Sequence, residues 1–288
     1  MANLRDIRRR IKSVKNTAQI TKAMQMVAAS KMRKAQQAAL SGRDYAHLLN
    51  RVIVSLTDTV QESLHPLLQD RDVKNRLVIL MSTDKGLCGA LNTNILREAL
   101  ALDESKTQFV SIGRKGTQFL ARTRRKVLAD FPLHERPDFA QCKQVSKFCI
   151  EKFLDGTVDQ VSILYPRFAN TLSQIPTNLQ ILPITCLEEA GIRSHYEATP
   201  APEGGFTFEP DATTVLNAIL PTYLYYIVYQ TQLSTRASEQ SARMVAMKSA
   251  TDNAKSLVKD LTLEYNKARQ ASITNEILEI ATAQLALG

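Results

Sequence analysis

Tryptophan is missing from this 288-residue chain, and aromatic residues of every kind make up only 6%, little for a globular protein of this size. The first 44 residues hold no aromatic at all, so nothing there can stack on a nucleic-acid base. Glycine and proline are scarce too, ten of each, which favours long uninterrupted helices. No run of 18 apolar residues occurs, so no segment reads as a membrane-spanning helix. The start, MANLRDIRRR, lacks an apolar signal core and reads as mature cytoplasmic sequence. The four cysteines, Cys88, Cys142, Cys149 and Cys186, form no CxxC pair and no zinc spacing with a histidine, so free thiols in a reducing compartment are expected. Cys142 and Cys149 fall two turns apart on one expected helix, about 10 Å along its axis, too far for a disulfide. His47, His65, His134 and His195 are scattered, and none is placed as a catalytic base.

Acidic residues are absent where basic ones crowd. Met1 to Arg43 carries eleven Lys or Arg against the single Asp6, a charge of +10 in a chain whose total is +9. Such a one-signed stretch repels itself and attracts an acidic partner. It is also periodic. Ile7, Ile11, Val14, Ala18, Thr21, Gln25, Ala28, Met32, Ala35 and Ala39 alternate steps of four and three, and the track continues through Gly42, Ala46, Leu49, Ile53, Leu56 and Val60. Sustained over more than seven heptads, this is a coiled-coil seam. Its middle is small or polar, so a partner helix can approach closely but gains little apolar area. A second seam runs through Gln240, Met244, Met247, Thr251, Ala254, Val258, Leu261, Tyr265 and Ala268, and the apolar track then shifts to Ile273, Ile277, Ile280 and Leu287. A helix from Asp211 to Ala286 would be about 110 Å long. Pro221 marks a kink or the end of a short first helix.

Between the two helices the composition changes. Leu77–Met81, Gln108–Ile112, Val161–Tyr165 and Leu179–Ile184 read as strands, alternating with helical Asn92–Ala101, Lys115–Arg124 and Gln141–Leu154. The fold class is therefore a long antiparallel coiled coil with a Rossmann-like α/β domain inserted between its N- and C-terminal helices. The divisions are 1–65, 71–196 and 209–287, the last pairing with the first. The stretch STDKGLCG, Ser82 to Gly89, follows the first strand and opens a helix, as phosphate loops do. It has neither GxGxxG nor GxxxxGK[ST] spacing, so a structural turn with no cofactor, metal or catalytic residue is the default.

Three segments carry a resemblance. IKSVKNTAQITKAMQMVAASKM, STDKGLCGALN and SEQSARMVAMKSATDNAKSLVKDLTLEYNKARQASITNEILEI are similar to the N-terminal helix, first strand and turn, and C-terminal helix of the gamma subunit of bacterial F-type ATP synthases. The resemblance covers both ends and the order of elements, and is weaker over about 100–209. Near the end, Ala283 and Gln284 stand where the family usually has Gly-Ala. The resemblance implies a non-catalytic rotor shaft inside a hexamer of alpha and beta subunits, its foot beside the epsilon subunit and on the ring of c subunits. Rotation driven by ion flow would cycle the hexamer through ATP synthesis, at the cytoplasmic face of the inner membrane and touching that membrane only through the complex. Carried over by position, Lys22, Met24 and Arg33 match shaft positions facing the catalytic subunits. Arg269 and Gln270 match a polar catch, Ile273 and Ile277 belong to the tip in an apolar bearing, and Phe206, Phe208 and Glu209 match the foot. Two rivals remain: an α/β enzyme with a coiled-coil arm, and a basic coiled-coil scaffold for an acidic partner or nucleic acid.

Overall fold

The computed structural model describes residues 4–42, 65–134, 137–184 and 208–287, with residues 45, 48, 49, 52, 53 and 56. In chain order the elements are α1 (Leu4–Ser41), β1 (Arg76–Met81), α2 (Leu91–Ala101), β2 (Thr107–Ile112), α3 (Arg114–Arg122), β3 (Val127–Phe131), α4 (Phe139–Leu154), β4 (Gln160–Phe168), β5 (Gln174–Leu182) and α5 (Ala212–Leu287). They divide into two compact units, Met1–Ala29 with Arg243–Gly288, and Ser30–Ala242.

The first unit is a pair of helices. No glycine or proline interrupts α1, and none interrupts α5 beyond Pro221. Burial follows the two sequence seams: Ile7, Ala28, Met247, Thr251, Ala254 and Leu261 are buried, while Ile11, Val14, Ala18, Thr21, Gln25, Val258, Tyr265 and Ala268 are half-buried. The hydroxyls of Thr21 and Thr251 meet at 2.7 Å. In an antiparallel pair with equal rise, that contact sets Ile7 level with Tyr265, Ile11 with Leu261 and Ala28 with Met244. The layers are thin, because Ala, Thr and Gln bury little of the 1.5–3 kcal/mol that about one Leu per layer would supply.

The second unit is built on a five-stranded sheet of order β3-β2-β1-β4-β5. Strands β1, β2, β3 and β4 are parallel, and β5 returns antiparallel along β4. Alternation along the strands serves two cores. Val78, Leu80, Phe109 and Leu164 face Ile95 and Ala99 of α2 and Leu120 of α3. Leu77, Ile79, Met81, Val110 and Ile163 face Val145, Cys149 and Phe153 of α4 and Leu216, Leu220, Leu224 and Val228 of α5. Leu49, Ile53 and Leu56 of the N-terminal seam belong to the same core, while Ala46 and Val60 lie outside the described residues.

Three expectations need adjusting. The structure adds strand β3, half-buried along most of its length at the sheet margin. The fourth expected strand begins five residues earlier, at Gln174, because it forms a hairpin with β4 in which Phe168 pairs with Gln174. Pro221 neither ends a helix nor separates a short one; it lies within continuous α5.

Candidate functional site

Two regions were candidates, the turn after β1 and the surface of the long helices. The turn lies where an α/β sheet ordinarily takes a ligand, since the chain moves from β1 to β2 on one side and later to β4 on the other. Helix α3 begins beside it, and its first three amides could serve an anion. Here they are already used. Arg114 N donates to Asp84 Oδ1 at 3.0 Å, Lys115 N to Thr83 O at 3.0 Å, and Gly116 N to Ser82 Oγ at 2.7 Å. The β1 tail supplies a carboxylate, a carbonyl and a hydroxyl where a phosphate would sit.

Space is used up as well. A Cβ on Gly116 would lie 2.8 Å from Ser82 Oγ, and one on Gly113 would lie 2.4 Å from Ser82 O. Gly113 has φ +97°, a conformation open to glycine and strained for other residues. Asn92 ties the other side of the turn, its Oδ1 accepting from Thr83 N and its Nδ2 reaching Cys88 Sγ at 3.3 Å. Leu87 at the apex adopts φ +61° with its side chain exposed.

Two of the thiols, Cys142 and Cys149, are poor nucleophiles. Burial pushes Cys149 up to about 12, and burial with the neighbouring Asp138 carboxylate does the same to Cys142. Cys142 donates to Gln232 Oε1 at 2.9 Å. Cys88, Cys142 and Cys149 are not joined in disulfides, and Cys186 lies outside the described residues. Among the described residues no group of three or more His, Cys, Asp or Glu could hold a metal, and no helix is long and apolar enough to cross a membrane.

The helical surface is more distinctive. Within the first unit, Arg5, Arg8, Arg9, Arg10, Lys12, Lys15 and Lys22 of α1 are all exposed. Lys22 donates to Gln25 Oε1 at 3.3 Å, and Met24 beside it is half-buried. Arg269 and Gln270 of α5 are exposed, as are Ile273 and Ile277. From Ile273 to Gln284 every residue is exposed, although Ile273, Ile277, Leu278 and Ile280 lie among them. In the second unit Arg33 and Glu209 are exposed, Phe208 packs against the core, and Phe206 lies outside the described residues. The sequence reading passed over Ile20, Val27 and Leu263, apolar side chains more than half exposed on the helix exteriors. Their signal was available: each is apolar and off the seam.

Comparison with known proteins is decisive about family. The model of a family described as ATP synthase matches residues 3–287. The ATP synthase gamma chain of Opitutus terrae is 54% identical over 292 residues, covering 99% of each chain, and that of Methylacidiphilum infernorum is 50% identical over 295 residues, covering 100% of each. Among solved structures, a chain of the central stalk and c-ring of Tetrahymena thermophila mitochondrial ATP synthase is 27% identical with a TM-score of 0.64, covering 80% of this chain and 99% of that one. A chain of the Euglena gracilis mitochondrial ATP synthase, from a structure of its OSCP, F1 and c-ring, shares the fold at 20% identity, with a TM-score of 0.69 and coverage of 99% and 94%. Seams, inserted sheet and near-complete coverage agree, and the chain belongs to the ATP synthase gamma-chain family.

Proposed function

We propose that this chain is the turning shaft of a bacterial F-type ATP synthase, a non-catalytic part that couples rotation of a membrane-embedded c-ring to the catalytic cycle of an alpha–beta hexamer. The observation that carries this is the stretch from Ile273 to Gln284, exposed at every position and studded with isoleucine and leucine. Apolar side chains around a lone helix are not stable in water and call for an enclosing apolar sleeve. A basic scaffold for nucleic acid leaves that tip without a purpose.

The rest of the surface supports the same reading. The one-signed charge of α1 suits acidic levers on the enclosing subunits, with Lys22, Met24 and Arg33 facing them. Arg269 and Gln270 form a polar catch, and Ile273 and Ile277 sit in the bearing. The α/β domain, about 71–196, with Phe206, Phe208 and Glu209, forms the foot against the epsilon subunit and the ring. The helical parts, 1–65 and 209–287, form the shaft. The chain meets the inner membrane peripherally, on its cytoplasmic side, and ion flow through that membrane turns it. The filled turn after β1 takes no nucleotide.

Purifying the tagged chain from detergent-solubilised membranes of the cells that make it tests the proposal. The expected result is co-purification with alpha, beta, epsilon and ring subunits and with ATPase activity. A chain that emerges alone or with nucleic acid overturns it. Titrating the full chain with ATP, ADP and NAD in a calorimeter should give no saturable heat, and micromolar binding would refute the structural reading of the turn.

A further inference from the structure

Helix α5 reads LSTRASEQSAR from Leu233 to Arg243. Ser234, Ser238 and Ser241 recur at steps of four and three and so share one helix face. Serine adds little to a helix or to an apolar core, yet Ser238 and Ser241 are wholly buried and Ser234 half-buried. A buried hydroxyl within a helix commonly turns back to the carbonyl four residues earlier. Thr231 and Thr235 of this helix do so, donating to Ile227 O and Thr231 O.

The three serines reach outward instead, each to main chain of the β4–β5 hairpin. Ser234 Oγ accepts from Phe168 N at 3.1 Å, Ser238 Oγ donates to Pro166 O at 2.8 Å, and Ser241 Oγ donates to Thr171 O at 2.8 Å. The hairpin tip is itself braced. Asn170 Oδ1 accepts from Leu172 N at 2.9 Å and Ser173 N at 2.8 Å, and Gln174 Nε2 donates to the carbonyls of Asn170 and Thr171 at 3.2 Å each.

The distinction between these bonds and the surrounding core is directional. Apolar packing between the sheet and α5 opposes separation, but it is non-directional and trades one contact for another when surfaces slide. A hydroxyl bonded to a fixed main-chain atom tolerates only a few tenths of an ångström. Three such bonds along one helix face oppose both sliding and rolling.

We propose that Ser234, Ser238 and Ser241 are positioning residues that make the β4–β5 hairpin and helix α5 one rigid body. They thereby form the joint through which turning force passes between sheet and helix, a role that rests on the rotor reading above. Hydrogen exchange on the full chain tests the fastening by itself. Ser234→Ala should speed exchange of the Phe168 amide about fivefold, the worth of one net hydrogen bond. The triple alanine variant should speed the hairpin amides on the order of a hundredfold if the bonds add, with β1 and β2 unchanged. Ser234→Thr, which keeps the hydroxyl, should restore the single variant. Unchanged hairpin exchange in the triple variant overturns the fastening, whatever the chain does in a complex.

The force-bearing half is read in the assembled complex, with the hexamer fixed and a probe attached through Leu172→Cys at the exposed hairpin tip. Its angular fluctuation should broaden in the triple variant. Faster exchange with unchanged fluctuation, in a complex that still turns, overturns the joint. A wild-type probe that does not rotate under ATP overturns the rotor reading, and with it this half of the proposal, while the fastening is still decided by exchange.

Discussion

Replacing Gly113 with alanine isolates what holds the turn after β1 shut. The residue has φ +97° and ψ 140°, where a side chain costs about 1–3 kcal/mol in backbone strain. The new Cβ would also sit 2.4 Å from the main-chain oxygen of Ser82, and main chain cannot rotate away as a side-chain end can. Relief requires β1's tail and the start of α3 to part. That movement breaks the bonds Ser82 Oγ makes to Gly113 O and Gly116 N, each worth about 1 kcal/mol net. The total is about 3–5 kcal/mol, which at about 2–4 °C per kcal/mol lowers the melting temperature by roughly 10 °C. Two other glycines separate strain from collision. Gly156 has φ +70° with nothing near its Cβ position, and Gly86 has neither constraint. Gly156→Ala should lose about 1–2 kcal/mol, and Gly86→Ala should stay within about 0.5 kcal/mol of the parent. Thermal melting followed by circular dichroism ranks the three. A Gly113→Ala protein that melts with the parent, or a Gly86→Ala protein that melts below it, refutes the account of the turn.

Arg269→Ala with Gln270→Ala should leave the free chain's melting unchanged, because both side chains are exposed. In the assembled complex it should lower ATP turnover, since a charge-assisted contact is worth about 1.5–3 kcal/mol; full activity in a complete complex would remove the role assigned to the pair. Cys142 and Cys149, held protonated by burial, should resist alkylation in the native chain and react on unfolding, and fast native labelling of either by mass spectrometry would contradict their placement. His65 has its pKa lowered by burial, against a partner bond from Asn217 that raises it, and its Nδ1 accepts from Leu67 N at 3.1 Å. The neutral ring is therefore the folded form, and its contribution is present above the ordinary histidine value of 6.5 and lost as pH falls below it. Melts between pH 8 and 5 should show a decline that His65→Asn flattens, and identical pH profiles would count against it.

The helices were legible because their signal is redundant. A step of four and three repeated through Ile7, Ile11, Val14 and Ala18 survives one weak position, and the buried faces of α1 and α5 follow it. Strand β3 offered no such redundancy: VLADF is five residues long, mostly half-buried, and follows the basic run Arg124-Arg125-Lys126. In β5, Pro176 lacks the amide that would mark a strand partner, yet it stands opposite Pro166 and the hairpin forms around them. The quiet turn after β1 was readable from missing spacing, but its cause was not, since the Ser82, Thr83 and Asp84 atoms that fill it bond to amides at the start of α3, remote in sequence. The serine face of α5 was invisible for a related reason. Serines in a polar helix look solvated until the hairpin that takes their bonds is in place.

The bond between His65 and Asn217 has a consequence for ancestry and engineering. His65 precedes β1 and Asn217 lies in α5 beyond β5, so the two ends of the segment that carries the sheet are a single side-chain contact apart. A segment whose ends meet can be lengthened at its surface turns for little, because the closure entropy of a loop grows only slowly with its length, whereas excising it would expose Leu216, Leu220 and Leu224 of α5. Variation is thus free at the turns between its strands and helices and constrained on the face that packs against α5.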